Sequence, residues 1–95
     1  MNDIFHVKFS TESLKGLKKV PVPIFVKLKA WVDAVGHKGL REVRKISGYH
    51  DEPLKGKRVG QRSIRPNKAY RAIYTINREG EIQFVRIEEV NKHEY

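Results

Sequence analysis

Between Glu52 and Tyr74 the chain reads EPLKGKRVGQRSIRPNKAYRAIY, and its residue types suit chemistry on a phosphodiester. Lys55, Lys57, Arg58, Arg62, Arg65, Lys68 and Arg71 stand against the single acid Glu52, so six of the nine net positive charges fall in this stretch. The cations are interspersed among strand-forming residues and glycines, so a folded sheet should hold them at fixed spacing as a polyanion site. Arg65 and Arg71 flank a turn signal at Pro66 and Asn67. A hairpin there brings both guanidinium groups to one end of the sheet, where together they can clamp a phosphate. Arginine's planar fork matches phosphate as a lysine ammonium does not, which favours phosphodiester recognition over diffuse contact with a membrane. The competing structural use of these arginines is pairing with Glu88 or Glu89 on the neighbouring strand.

Other chemistries find less support. The absence of cysteine removes disulfides, thiolate zinc sites and a cysteine nucleophile, and fits a reducing compartment. His6, His37, His50 and His93 have no paired spacing of the H-E-x-x-H kind, so no metal site is expected. Walker, Gly-x-Gly-x-x-Gly and Gly-x-Ser-x-Gly patterns are all missing, which leaves nucleotide-cofactor binding and serine hydrolysis unsupported. No small-molecule cofactor is expected. Asn91-Lys92-His93-Glu94-Tyr95 places an imidazole and a phenol directly after the last expected strand.

These residues need a scaffold, and 95 residues, 39% hydrophobic, suffice for one modest core. A single domain over residues 1–95 is therefore expected. In Ile4 to Phe9, Phe5, Val7 and Phe9 alternate with His6 and Lys8, the pattern of a strand. Ser10 or Thr11 can cap a short helix with Leu14 and Leu17 as its buried side, weakened by Gly16. Pro23 suits the first turn of a second helix, whose apolar stripe is Ile24, Leu28, Trp31, Val32 and Val35, and Gly36 is expected to end it. A third helical piece runs from about Leu40 to Ile46 and stops at Gly48. Three strands then follow: Arg58 to Arg65, Tyr70 to Ile76, and Glu81 to Glu89, with turns at Pro66-Asn67 and Arg78-Glu79-Gly80. The expected fold class is α+β, with an amino-terminal strand at an edge and helices packed on an antiparallel sheet of about four strands. The short apolar runs and the lack of a secretory signal pattern predict a cytoplasmic protein with no membrane partner.

Glu52-Pro53-Leu54-Lys55, Gly60, Arg65, Tyr70-Arg71-Ala72-Ile73-Tyr74, His93 and Tyr95 together resemble the catalytic half of RelE-superfamily toxins. The similarity is strongest to the YoeB-like and HigB-like members of bacterial type II toxin–antitoxin systems, and it covers roughly residues 48 to 95. It implies a microbial RNase-like fold, cleavage of messenger RNA in the ribosomal decoding site, and a cognate antitoxin that wraps and blocks the toxin. It also implies residue roles. Glu52 falls where YoeB-like toxins carry a glutamate general base and HigB-like toxins a histidine. Arg65 and Arg71 match arginines that hold the scissile phosphate. His93 matches a terminal histidine acting as general acid, and Tyr95 a terminal tyrosine that positions substrate. Lys55 would add a further cation, with Lys57, Arg58, Arg62 and Lys68 completing an RNA-binding surface.

Metal-free RNA cleavage needs just such a set: a base, an acid and fixed positive charge beside the phosphate. Two departures from the pattern bear on it. Glu94 separates His93 from Tyr95, which leaves open which of the two donates the proton, and Pro66 replaces an aliphatic strand residue. Two other functions fit the same stretch. One is a ParE-like gyrase inhibitor on the same fold; the other is a non-enzymatic RNA-binding module with Tyr70 and Tyr74 as stacking platforms.

Overall fold

The computed structural model describes residues 3–90. Strand β1 (Val7–Phe9) is followed by helices α1 (Thr11–Leu17), α2 (Val22–Lys38) and α3 (Leu40–Arg44). Strands β2 (Glu52–Pro53), β3 (Arg62–Ile64), β4 (Tyr70–Ile76) and β5 (Ile82–Glu89) complete the order, with single 3-10 turns at Ser47–Tyr49 and Gly56–Arg58. One five-stranded sheet results, in the order β1-β5-β4-β3-β2. The α+β expectation holds, with two differences. Glu52–Pro53 adds a fifth strand antiparallel to β3, and β1 lies parallel to β5, the connection between them being long enough for helices.

The core forms where α2 crosses the long central hairpin. Ile24, Leu28, Trp31 and Val35 recur at helical spacing and are buried, whereas Val32 is only partly so. They meet Ala72, Tyr74, Ile82 and Phe84, which share one face of β4 and β5. The rings of Tyr74 and Phe84 lie 5.4 and 5.3 Å from that of Trp31.

Several boundaries differ from expectation for identifiable reasons. Helix α2 runs past Gly36 and ends at Gly39, whose φ of 86° suits glycine and whose N–H closes on the Val35 carbonyl at 2.9 Å. In α1 the buried residue is Ser13, while Leu14 is exposed, because Ser13 hydrogen-bonds with the N-cap Ser10 and turns inward. Gly16 has a packing role there: a Cβ would meet the Ile87 carbonyl oxygen of β5 at 3.0 Å. Helix α3 stops at Arg44, so Ile46 is exposed and Gly48 sits within a 3-10 turn. Strand β3 begins only at Arg62, since Gly56–Arg58 forms a turn.

A bulge in β5 decides what the other face of the sheet carries. Ile73 pairs with Arg86 but Tyr74 pairs with Phe84, which leaves Val85 as the extra residue. The alternation changes phase there, so Arg86 and Glu88 stand beside Ile73 and Arg71, opposite the core. The α1 cap secures the bulge, with Ser10 Oγ donating to the Val85 carbonyl at 3.2 Å.

Candidate functional site

The two arginines that flank the β3–β4 turn have different surroundings. The turn itself is built by Asn67, whose side-chain oxygen accepts the N–H groups of Ala69 and Tyr70 at 2.8 and 2.9 Å. Arg65 sits at its start. The Arg65 N–H donates to the Tyr49 carbonyl at 2.8 Å and its guanidinium to the Lys68 carbonyl at 2.9 Å, which ties this loop to the 3-10 turn at Ser47–Tyr49. Pro66 is buried and follows the end of β3, so its missing N–H removes no ladder bond.

A cleft of about 520 Å³ opens at this junction, lined by Lys27, His50, Glu52, Arg65, Asn67 and Lys68, with Gly48 and Pro66. It thus joins a carboxylate, an imidazole and three cations from four elements. Lys27 comes from α2, where its ammonium lies 5.9 Å above the Tyr49 ring. Glu52 is fixed by β2, opposite Ser63. Between His50 and Glu52, the Asp51 side chain turns inward and is fully buried; it accepts bonds from Arg62 Nε and the Tyr74 hydroxyl, both at 2.7 Å. Burial, and then the Asp51 carboxylate it donates to, push the Tyr74 phenol up to about 12, against an opposing pull from Arg44. This ion pair, its carboxylate buried and its guanidinium partly exposed, anchors the segment that carries Glu52.

Arg71 lies elsewhere, on the sheet face opposite the core. Its guanidinium meets Glu88 Oε1 at 2.6 Å through Nη2 and at 2.8 Å through Nε. Arg58 reaches the same oxygen at 3.3 Å, and Arg86 lies 3.9 Å from the other. Three guanidinium groups thus converge on one carboxylate. Burial alone would push Glu88 up, but the hydrogen bonds from Arg71 and Arg58 outweigh it and hold the carboxyl below its usual range.

Of the residues singled out in the sequence, then, Glu52, Arg65 and Lys68 share the cleft. Arg71 and Arg58 are bound to Glu88, Arg62 serves the Asp51 anchor, Lys55 is exposed, and Lys57 lines a smaller cleft with Arg58 and Arg86. His93 and Tyr95 lie outside the described residues. Sequence reasoning missed Lys27, which is distant in the chain and looks like any outward helix lysine, and His50, for which only its place beside Asp51-Glu52 gave a signal. Among the described residues no three His, Asp or Glu side chains converge as metal ligands, and no helix is long and apolar enough to cross a membrane.

No protein-family profile and no curated protein sequence matches the chain. Solved structures do. YafQ from E. coli superposes with a TM-score of 0.71 at 20% identity, over 88% of this chain and 91% of that one. The YoeB dimer from Staphylococcus aureus gives a TM-score of 0.67 at 18% identity, covering 92% and 97%. A chain of the RelBE2 toxin–antitoxin complex from Mycobacterium tuberculosis gives 0.64 at 23% identity, covering 88% and 95%. The chain therefore has the fold shared by RelE-, YoeB- and YafQ-type toxins.

Proposed function

We propose that this chain is the toxin of a type II toxin–antitoxin pair and that it cleaves messenger RNA on the ribosome without a metal. The observation that carries the reading is the shared cleft, where Glu52 stands with Arg65, Lys68 and Lys27 on a fold of RelE-like toxins. In this reading the Glu52 carboxylate takes the proton of an RNA 2′-hydroxyl. The 2′-oxygen then attacks the adjacent phosphorus, and the cations stabilise charge on the phosphoryl oxygens. The products are a 2′,3′-cyclic phosphate and a 5′-hydroxyl. Arg71 joins the phosphate contacts when substrate replaces Glu88 as its partner, and the exposed Lys55 and Lys57 extend the track along the RNA backbone.

An antitoxin fits a second surface. Leu14, Val22, Phe25 and Val26 are exposed apolar residues on α1 and α2, and a groove between these helices is lined by Leu14, Leu17, Val20, Val22 and Phe25, with Lys18 beside them. A partner helix with an apolar stripe and acidic flanks would suit it. Ribosome and messenger RNA place the activity in the cytoplasm.

Primer extension on messenger RNA in a translating extract tests the reading. New 5′ ends within ribosome-covered codons are expected with the purified chain. They should vanish without ribosomes, and Glu52→Ala and Arg65→Ala should each reduce them by about 10²-fold or more. No new ends, with gyrase supercoiling inhibited instead, would favour a ParE-like binding toxin. The neutralisation of Arg71 by Glu88 is the one observation that speaks for that alternative.

A further inference from the structure

We propose that His50 is the general acid of the cleft, donating a proton to the 5′-oxygen as it leaves; this rests on the RNA-cleavage reading above. Three observations support the assignment. First, His50 and Glu52 line the same cleft, so a carboxylate that can accept a proton and an imidazolium that can give one face a common space with Lys27, Arg65 and Lys68. These groups come from every element that borders His50 in the cleft: α2, β2 and the β3–β4 loop.

Second, His50 is the only non-glycine residue with positive φ among the described residues, at φ 50° and ψ 49°. A left-handed backbone costs an ordinary side chain about 1–2 kcal/mol, and glycine would adopt it freely. The peptide that enters His50 is held at both of its polar atoms. The His50 N–H closes on the Ser47 carbonyl at 3.1 Å, and Arg65 N–H binds the Tyr49 carbonyl one residue earlier. Histidine is among the few side chains that enter this region, and here the backbone holds its imidazole beside a carboxylate, which accords with a role for the side chain.

Third, the neighbouring Asp51 is buried and locked by Arg62 and Tyr74, so the backbone carrying both His50 and Glu52 is fixed midway between them. An acid and a base separated by one anchored residue can serve opposite sides of one phosphate.

The step balances. The 2′-hydroxyl proton passes to Glu52, the 2′-oxygen forms its bond to phosphorus, the bond from phosphorus to the 5′-oxygen breaks, and that oxygen takes the proton from His50. Exchange with water then returns the proton from Glu52 to solvent and another to the imidazole.

The test compares wild type with His50→Asn on ribosome-bound messenger RNA. Asparagine accepts left-handed backbone, so the loop should survive the change, as thermal melting can verify. Two substrates are used: ordinary RNA, and RNA whose cleaved linkage carries sulfur in place of the 5′-oxygen, a thiolate that departs without protonation. With ordinary RNA the variant should lose about 10²-fold or more in rate, and with the sulfur linkage it should cut at nearly the wild-type rate. Equal losses on both substrates would overturn the proposal, and so would unchanged cleavage of ordinary RNA. A sulfur rescue seen only with His93→Ala would overturn it too, by moving the acid to that residue. If wild type cuts neither substrate, the nuclease reading itself fails and His50 has no such role.

Discussion

Arg65 and Arg71 are the same residue type, six positions apart across one turn, yet the fold gives them opposite circumstances. Among the described residues Arg65 enters no ion pair; its guanidinium is steadied by the Lys68 carbonyl and borders a cleft with two further cations. Arg71 is bound through two nitrogens to Glu88, a carboxylate that Arg58 and Arg86 also approach. A count of cations treats the two alike. An anion does not, because at Arg71 it must first displace a hydrogen-bonded carboxylate, whereas at Arg65 it meets an oriented donor. The lesson concerns availability: in a strongly basic chain, the placement of the few acids decides which cations can act.

The largest effect should come from removing each arginine in turn. Arg65→Ala should lower ribosome-dependent cleavage by about 10²–10³-fold, the usual consequence of losing a fixed charge beside a reacting oxyanion. Arg71→Ala should cost only about tenfold, since part of what Arg71 offers a phosphate is already spent on Glu88. A loss at Arg71 equal to or greater than that at Arg65, measured in one primer-extension series, would mean that Glu88 does not withhold Arg71 from the RNA.

Next is the anchor beneath the cleft. Asp51→Ala leaves Arg62 and the Tyr74 hydroxyl without their buried partner, and should lower stability by about 3 kcal/mol. For a chain of this size that corresponds to a fall of roughly 10–20 °C in Tm. The same anchor carries an alkaline signature. The Tyr74 value is raised to about 12, so wild-type stability should hold below the ordinary tyrosine range near pH 10 and fall as pH rises from there through 12. Denaturant melts of Tyr74→Phe should lack that part of the decline.

A smaller effect tests the sheet face directly. Glu88→Gln keeps the shape but removes the charge that holds Arg71 and Arg58, so RNA affinity should rise about three- to tenfold. The salt dependence should steepen by about one ion. Fluorescence anisotropy across a salt series reads both quantities. An unchanged affinity would mean that these arginines face no nucleic acid.

Much of this arrangement was legible in the sequence, and the exceptions share a cause. The alternation of Tyr70 to Ile76 gave β4 with its bounds, Asn67 gave the hairpin turn, and the stripe from Ile24 to Val35 gave the helix that fills the core. Glu88 was recognisable as a rival partner for the arginines. What escaped depends on contacts between distant segments. The bulge at Val85 has no local signal, since Ile82 and Phe84 continued at period two would put Arg86 toward the core. Lys27 joins the cleft only because α2 packs where it does, and His50 only because a 3-10 turn ends there in a left-handed residue. Gly36 misled because propensity marks where a helix can stop, whereas the conformation at Gly39 marks where it does.

The smallest effect is the acid limb of stability, and it separates the two regions without any substrate. Because Arg71 and Arg58 hold the Glu88 carboxyl below its usual range, Glu88 should contribute stability that is fully present above the ordinary glutamate value, about 4.3. That contribution should be lost as pH falls through the lowered folded value, when protonation leaves the converging guanidinium groups without their counter-ion. Glu88→Gln should therefore flatten the decline in stability below about pH 4, and Arg71→Ala should flatten it too, by removing the leading hydrogen bond to the carboxylate. Arg65→Ala should leave that decline as steep as in wild type, since the Arg65 guanidinium is held by a main-chain carbonyl that does not titrate. Urea melts of the three variants at successive pH values read the difference. An acid limb that Arg65→Ala flattened as much as Arg71→Ala did would mean that the two arginines share one electrostatic environment after all.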